Sequence, residues 1–203
     1  KKFLAMTFAK ALQCEEHGID SCGVCKSCMQ TDSGNQPDIG KVSHEKVSIG
    51  VDDIRVQVNQ DIDIKPYESP YKIYIIDEAE KMTEQAQNAL LKTIEEPPEY
   101  GIVMLLVDNI ERMLPTIVSR CIVLSLKPVS VEQMKKHLVE KRGFPDYQAK
   151  LSANFAQGNL GKAIRYAANE DFIRMKDDVL RMLRRIDEMQ LSELLENIEL
   201  FSS

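Results

Sequence analysis

The chain has 203 residues, 43% of them hydrophobic and 29% charged, which argues against a disordered polymer and leaves room for one large domain or a medium domain with a small companion. No apolar run reaches the roughly 18 residues of a membrane span, and the first residues lack a small-residue cleavage site and lead into acidic ones, so neither a membrane segment nor a secretory leader is expected. A net charge of −6 and a pI near 5.2 argue against a stand-alone nucleic-acid binder with a basic face and point to protein partners in the cytoplasm.

Residues 3–13 place Phe3, Leu4, Phe8 and Leu12 near helical spacing, which predicts a first helix. Both ends of the chain read as cut, so further sequence is expected before Lys1 and after Ser203. Four of the five cysteines then fall within fifteen residues, as Cys14, Cys22, Cys25 and Cys28, in the pattern C-x7-C-x2-C-x2-C. Two C-x2-C steps that share Cys25 bring thiolates together on tight turns, and four sulfurs complete the tetrahedral shell that Zn²⁺ prefers. The competing readings are a disulfide pair or unlinked core thiols; a reducing compartment disfavours the first, and the polar residues between the cysteines disfavour the second. A closed four-sulfur shell would make the metal structural. His17 is a substitute ligand or, more simply, a solvated loop residue.

A turn-rich connector, "TDSGNQPD", leads to a predicted strand over about 39–44 and a helix over about 51–61, with Ile54 and Val58 on one face. "KPYESPY" breaks the chain before a strand at 72–76, whose near-continuous apolar character suits a parallel sheet covered on both faces. That strand runs directly into Asp77 and Glu78, at the carboxyl end where ligands gather in open α/β sheets. In a P-loop ATPase the first carboxylate would hold Mg²⁺ and the second would polarise the attacking water; two solvated acids ending a strand are the plainer alternative. Thr83 caps the next predicted helix, in which Ala86, Ala89, Leu90 and Ile94 recur on one side until "EEPP" stops it. A buried strand in "GIVMLLVD", a short helix at "LPTIVSR" and a strand at "CIVLSL" follow, and Pro128 marks a hinge.

Beyond Pro128 the period is purely helical. Ser130 and Gln133 form a capping box, Gly143 closes that helix, Asp146 caps a second, and a third begins near Asn159. Strand and helix alternate up to residue 127 and helices alone follow, so the fold class is α/β with a small all-helical domain at 128–170. Residues 171–203 read as two more helices leading away from that module.

"IYIIDEAEKMTEQAQNALLKTIEEPP", then "LPTIVSRC", with the four-cysteine loop upstream, resembles the AAA+ subunits of the bacterial sliding-clamp loader of DNA polymerase III, over residues 1 to about 170. The resemblance implies a P-loop ATPase-like AAA+ domain over 1–127 with a parallel sheet and an inserted zinc loop at 14–28, a helical lid over 128–170, and the start of a carboxy-terminal collar at 171–203. In that family the lysine of the phosphate loop lies thirteen residues before the first zinc cysteine, as Lys1 lies before Cys14, so the glycine-rich loop itself and the strand leading into it are expected to precede Lys1. Lys2 then stands where an active ATPase has Ser or Thr; an ammonium cannot ligate Mg²⁺, which argues against hydrolysis and against bound ATP and Mg²⁺. Val107, beside Asp108 and Asn109, takes the place of the family's polar sensor, and Lys162 aligns with the cationic sensor of the lid, although a solvated helix lysine is the favoured reading there.

Intact Asp77 and Glu78 beside a damaged phosphate site resemble the non-hydrolysing, delta-prime class of these subunits more than the ATP-hydrolysing gamma/tau class. The family places an arginine finger at the motif occupied by Ser119, Arg120 and Cys121, so that Arg120 would reach the γ-phosphate of ATP held by a neighbour, against the alternative of an ordinary surface arginine. Guanidinium suits the role because it stays charged and presents a planar fork of donors. The implied partners are the gamma/tau and delta subunits, with the sliding clamp and primed DNA reached through the complex. The rivals are a gamma/tau-type ATPase and, from another class, a zinc-stabilised nucleic-acid adaptor.

Overall fold

The computed structural model describes residues 1–42 and 47–185. It divides into two units, Lys1–Ser125 and Leu126–Ser203.

The first unit is built on three parallel strands, β1 (Ile39–Lys41), β2 (Lys72–Ile76) and β3 (Gly101–Leu105), in the order β1-β2-β3. Ile73 lies opposite Ile39 on one side and Ile102 on the other. Strand β2 is buried along its whole length, as its continuous apolar sequence predicts. Successive side chains alternate between faces. Ile73 and Ile75 therefore meet α1 (Lys2–Leu12) through Ala5 and Ala9, while Tyr74 and Ile76 join Ile54, Val58, Ala86 and Leu90 on the other face. That second face is covered by α3 (Val51–Ile54), a π-helical stretch at Arg55–Asn59, the closing turn α4 (Gln60–Ile62), and α5 (Glu84–Glu95). The result is a sheet between two helical layers.

Several local expectations are met and others are corrected. Thr83 caps α5 by accepting from the Ala86 N–H at 3.2 Å. In α1 the small residues face the sheet, and Phe3 (81% exposed) and Phe8 (56%) point outward with Leu4; Ala5 and Ala9 let the helix approach closely. The "TDS" of the expected connector belongs to a helix, α2 (Lys26–Ser33), whose N-cap is the thiol of Cys25. The expected strand at "CIVLSL" does not form, and Ile122, Val123 and Leu124 are exposed. Strand β3 pairs only with β2 among the described residues and is half-buried rather than buried, because its outer edge has no neighbour there and an extended chain becomes a strand only by finding a ladder partner. The short helix α6 (Pro115–Val118) forms as expected, with Pro115 at its first turn.

The second unit contains α7 (Val131–Arg142), α8 (Asp146–Phe155), α9 (Leu160–Ala168) and α10 (Glu170–Arg185). Met134 and Leu138 pack against Ala149, Ala153, Ala163 and Ala167. The Ser130–Gln133 capping box and the left-handed Gly143 are both present. Asp146 lies inside the first turn of α8 rather than at its cap, which Pro145 occupies, and pairs with Lys135 at 2.7 Å. Phe172 at the start of α10 stacks on Tyr166 and meets Phe155 edge-on. The last expected helix lies outside the described residues, as does the end of the one before it.

Candidate functional site

Three chain segments meet at the carboxyl edge of the sheet. Strand β2 delivers Asp77 and Glu78, the chain after β3 delivers Val107 and Asp108, and the start of α1 brings Lys1 and Lys2. The backbone locks the strand ends together, with the Leu106 N–H donating to the Ile76 carbonyl and the Ala79 N–H to the Leu106 carbonyl, each at 2.9 Å. Glu78 takes a left-handed backbone, φ 51°, a conformation that costs a non-glycine residue about 1–3 kcal/mol and clusters at functional sites.

Each carboxylate at this edge has an ammonium partner. Lys2 Nζ lies 3.2 Å from Asp77 Oδ2 and Lys81 Nζ lies 2.7 Å from Glu78 Oε2. Lys1 Nζ pairs with Asp108 and donates to the Val107 carbonyl at 2.9 Å. Lys1, Lys2, Asp77 and Glu78 are thus brought together, and three negative charges are matched by three positive ones. A divalent cation on Asp77 would sit within a few ångströms of the Lys2 ammonium. At 4 Å the repulsion between charges of one and two amounts to about 2 kcal/mol in water and about 8 kcal/mol at the effective dielectric of a protein surface.

Arg120 lies apart from these pairs, two residues beyond the last turn of α6. Its Nη1 donates to the Thr116 carbonyl at 3.0 Å and reaches Ser119 Oγ at 3.4 Å, while Nη2 pairs with Glu95 Oε1 at 2.7 Å. The Arg120 side chain is 40% exposed and that of Glu95 44%. The segment leading to α6 is pinned by Gln87, a buried residue of α5. Its amide nitrogen donates to the Met82 and Arg112 carbonyls, both at 3.3 Å, and its oxygen accepts from the Leu114 N–H at 2.7 Å. Sequence reasoning missed Gln87 and Glu95. Gln87 did carry a signal, since it stands on the stripe of Thr83, Leu90 and Ile94, where a polar residue inside an apolar face asks for partners. Glu95 carried none.

The four loop cysteines converge. All are free thiols, and their sulfurs lie within 4.8 Å of one another; Cys22 and Cys28 are 4.0 Å apart. A tetrahedral shell with Zn–S bonds of about 2.3 Å has sulfur-to-sulfur edges of about 3.8 Å. The donor set fits such an ion, and the cluster can bind a metal such as zinc. Backbone N–H groups already point at the sulfurs, from Cys22 to Cys14 and from Cys25 to Cys22 at 3.3 Å, and from Cys28 to Cys25 at 3.4 Å, an arrangement that favours thiolates. Cys14 and Cys28 are buried. Burial pushes the Cys28 thiol up to about 12, whereas the Cys22 N–H holds Cys14 below its ordinary value. His17 is exposed and outside the cluster. Lys162 belongs to the second unit, in the first turn of α9, with its backbone N–H on the Asn159 cap and its side chain exposed.

Among protein families, the model for "DNA polymerase III, delta subunit" matches residues 1–130. The chain belongs to this family. The DNA polymerase III subunit delta' of Bacillus subtilis is 32% identical over 178 residues, which is 88% of this chain and 53% of that protein. The DNA polymerase III subunit tau/gamma of Haemophilus influenzae is 34% identical over 167 residues, 79% of this chain and 24% of that protein. The chain thus spans about half, or less, of the length of these relatives. Among solved structures, the RuvB Holliday junction branch migration motor of Thermotoga maritima superposes with a TM-score of 0.52 at 17% identity, covering 74% of this chain and 55% of that one; this likeness concerns the fold alone. The AAA+ fold and the relationship to delta-prime subunits read from the sequence are both borne out. No helix among the described residues is long and apolar enough to cross a membrane.

Proposed function

We propose that this protein is a non-hydrolysing subunit of the bacterial DNA polymerase III clamp loader, of the delta-prime type, which supplies Arg120 to the ATP site of an adjacent subunit and so helps to load the sliding clamp onto primed DNA. The observation that carries the reading is the Lys2–Asp77 pair at 3.2 Å: a fixed cation sits against the carboxylate that a hydrolase would use for Mg²⁺, and it repels the metal. Residues 1–127 form the AAA+ domain, 128–170 the lid, and 171–203 the start of a collar. Lys1, Lys2, Asp77 and Glu78 line a nucleotide site that has lost its use, and ATP and Mg²⁺ do not bind there. Cys14, Cys22, Cys25 and Cys28 hold a structural Zn²⁺ that fixes the loop between α1 and α2. The gamma/tau and delta subunits are the direct partners, and the cytoplasm is the compartment.

In this arrangement Arg120 acts where charge develops on the transferred phosphoryl group. Arginine fingers supplied in trans contribute on the order of 10³–10⁵ in rate, and the donor's own nucleotide site can be silent. The test uses the full-length subunit in the assembled loader, with ATP turnover and clamp loading on primed template as readouts. Arg120→Ala lowers both; undiminished turnover overturns the assignment. A second reading, a gamma/tau-type ATPase, is favoured by the 34% identity to the tau/gamma relative. It predicts magnesium-dependent, micromolar ATP binding by the full-length subunit alone, which the first reading does not.

A further inference from the structure

The guanidinium of Arg120 is held in an asymmetric way. Nη1 is fixed to the preceding helix α6 by the Thr116 carbonyl at 3.0 Å, whereas Nη2 is held by Glu95, the last residue of α5, at 2.7 Å. A carboxylate and a phosphate present oxygens to the same planar fork of donors, so one can occupy the position of the other. Glu95 also stands at a helix carboxyl end, where the helix dipole disfavours a negative charge. Helix stability therefore gives no reason for an acid at this position, while an adjacent cation does.

We infer that Glu95 is an internal stand-in for phosphate: it parks Arg120 until the nucleotide of a neighbouring subunit displaces it, and thereby sets how readily the arginine engages. The inference rests on the reading of Arg120 as acting in trans. Docking exchanges one oxygen ligand of Nη2 for another, while the Nη1–Thr116 bond keeps the guanidinium plane in place. Both partners of the pair are well exposed, so the latch is weak, and removing it changes engagement by no more than about fivefold. Glu95 is a positioning residue in this scheme, because it never touches the reacting atoms.

The experiment uses the loader assembled from full-length subunits, with steady-state ATP turnover measured over a range of ATP concentrations. Glu95→Gln keeps the shape and an acceptor oxygen but removes the charge that competes with phosphate. It is expected to lower the half-saturating ATP concentration by about two- to fivefold without lowering maximal turnover. The same change made on top of Arg120→Ala is expected to have no effect, since there is then nothing to park. The proposal is overturned if Glu95→Gln lowers turnover, leaves the half-saturation point unmoved, or acts equally in the Arg120→Ala background, which would mark a purely structural residue. An unchanged thermal midpoint for Glu95→Gln shows that folding is not the source of any effect. If Arg120→Ala itself is silent, it is the trans-acting role that fails, a result distinguishable from failure of the latch.

Discussion

Replacing Gln87 by Leu probes the connection between the sheet-covering helix and the segment that carries Arg120. The two side chains are similar in size, so the change leaves little cavity and isolates the loss of polar contacts. Gln87 is 3% exposed and makes three hydrogen bonds, the shortest of which, at 2.7 Å, takes the Leu114 N–H at the entrance to α6. A buried donor left without a partner costs about 1–3 kcal/mol. The two bonds to the Met82 and Arg112 carbonyls, both at 3.3 Å, are long, and carbonyls tolerate partial satisfaction better than N–H groups do, so they add little. The expected destabilisation is about 1–3 kcal/mol, and at about 2–4 °C per kcal/mol for a chain of this size the calorimetric midpoint should fall by about 2–12 °C. Gln87→Glu should recover part of this loss, because a carboxylate still accepts from Leu114. A midpoint within 1 °C of the parent for Gln87→Leu would mean that water satisfies Leu114 and that Gln87 is not what pins this turn.

Three other perturbations address separate features. Gly158 has φ +80°, and an added Cβ would lie 2.3 Å from Pro128 Cβ, so Gly158→Ala should destabilise the helical unit by about 2–4 kcal/mol, seen as an earlier loss of helical circular dichroism. Burial works to raise the Asp61 carboxyl, but hydrogen bonds from Tyr74 and Lys72 outweigh it and hold the group below its ordinary 3.8. Its contribution to stability is therefore present above about pH 4 and is lost as pH falls through the lower folded value; urea titrations at several pH values should show this loss, and Asp61→Asn should flatten it. Cys25→Ser should abolish stoichiometric zinc binding in a chelator-release assay, and the parent's affinity should weaken as pH falls, because protons compete for the thiolates.

What the sequence made legible was what a short window of residues determines by itself. Strand β2 announces itself because burial on both faces demands an unbroken apolar run, and the cysteine loop because ligand spacing is a local property. The caps at Thr83 and Ser130 are one-turn devices for the same reason. What it hid depended on partners far along the chain. Lys72 opens β2 yet is 2% exposed, because Asp61 and the Ile64 carbonyl receive its ammonium. The orientation of α1 turned on how close a helix can come to the sheet, which favours Ala5 and Ala9 over the larger Phe3 and Phe8. The segment 121–126 has the composition of a strand, but strand formation needs a neighbour that no local pattern can supply. Helix α2 escaped notice because its cap is a cysteine, read for its metal chemistry rather than for its place at a helix start. At the candidate site Lys1, Lys2, Asp77, Glu78 and Arg120 were each legible, but the pairing of Arg120 with Glu95 was not, since the two are separated by 25 positions in the sequence.

Ion pairs of similar length carry opposite consequences at two places in this molecule. At the strand ends, the Lys2 and Lys81 ammoniums face carboxylates that would otherwise attract a metal, so pairing removes the site's reason to bind a cation. The deterrent there is electrostatic and persists if either side chain swings, because the net charge of the edge stays near zero whichever rotamers are occupied. At the end of α6 the roles are reversed. Under the proposed function the useful group there is the cation, and its paired carboxylate is held by a single contact on one nitrogen. On that proposal, an approaching polyphosphate carries more negative charge than Glu95 and presents several oxygens, so it would outcompete the carboxylate for the same fork. Under the proposed function, one fold can therefore close its own nucleotide site and still lend a charge to another.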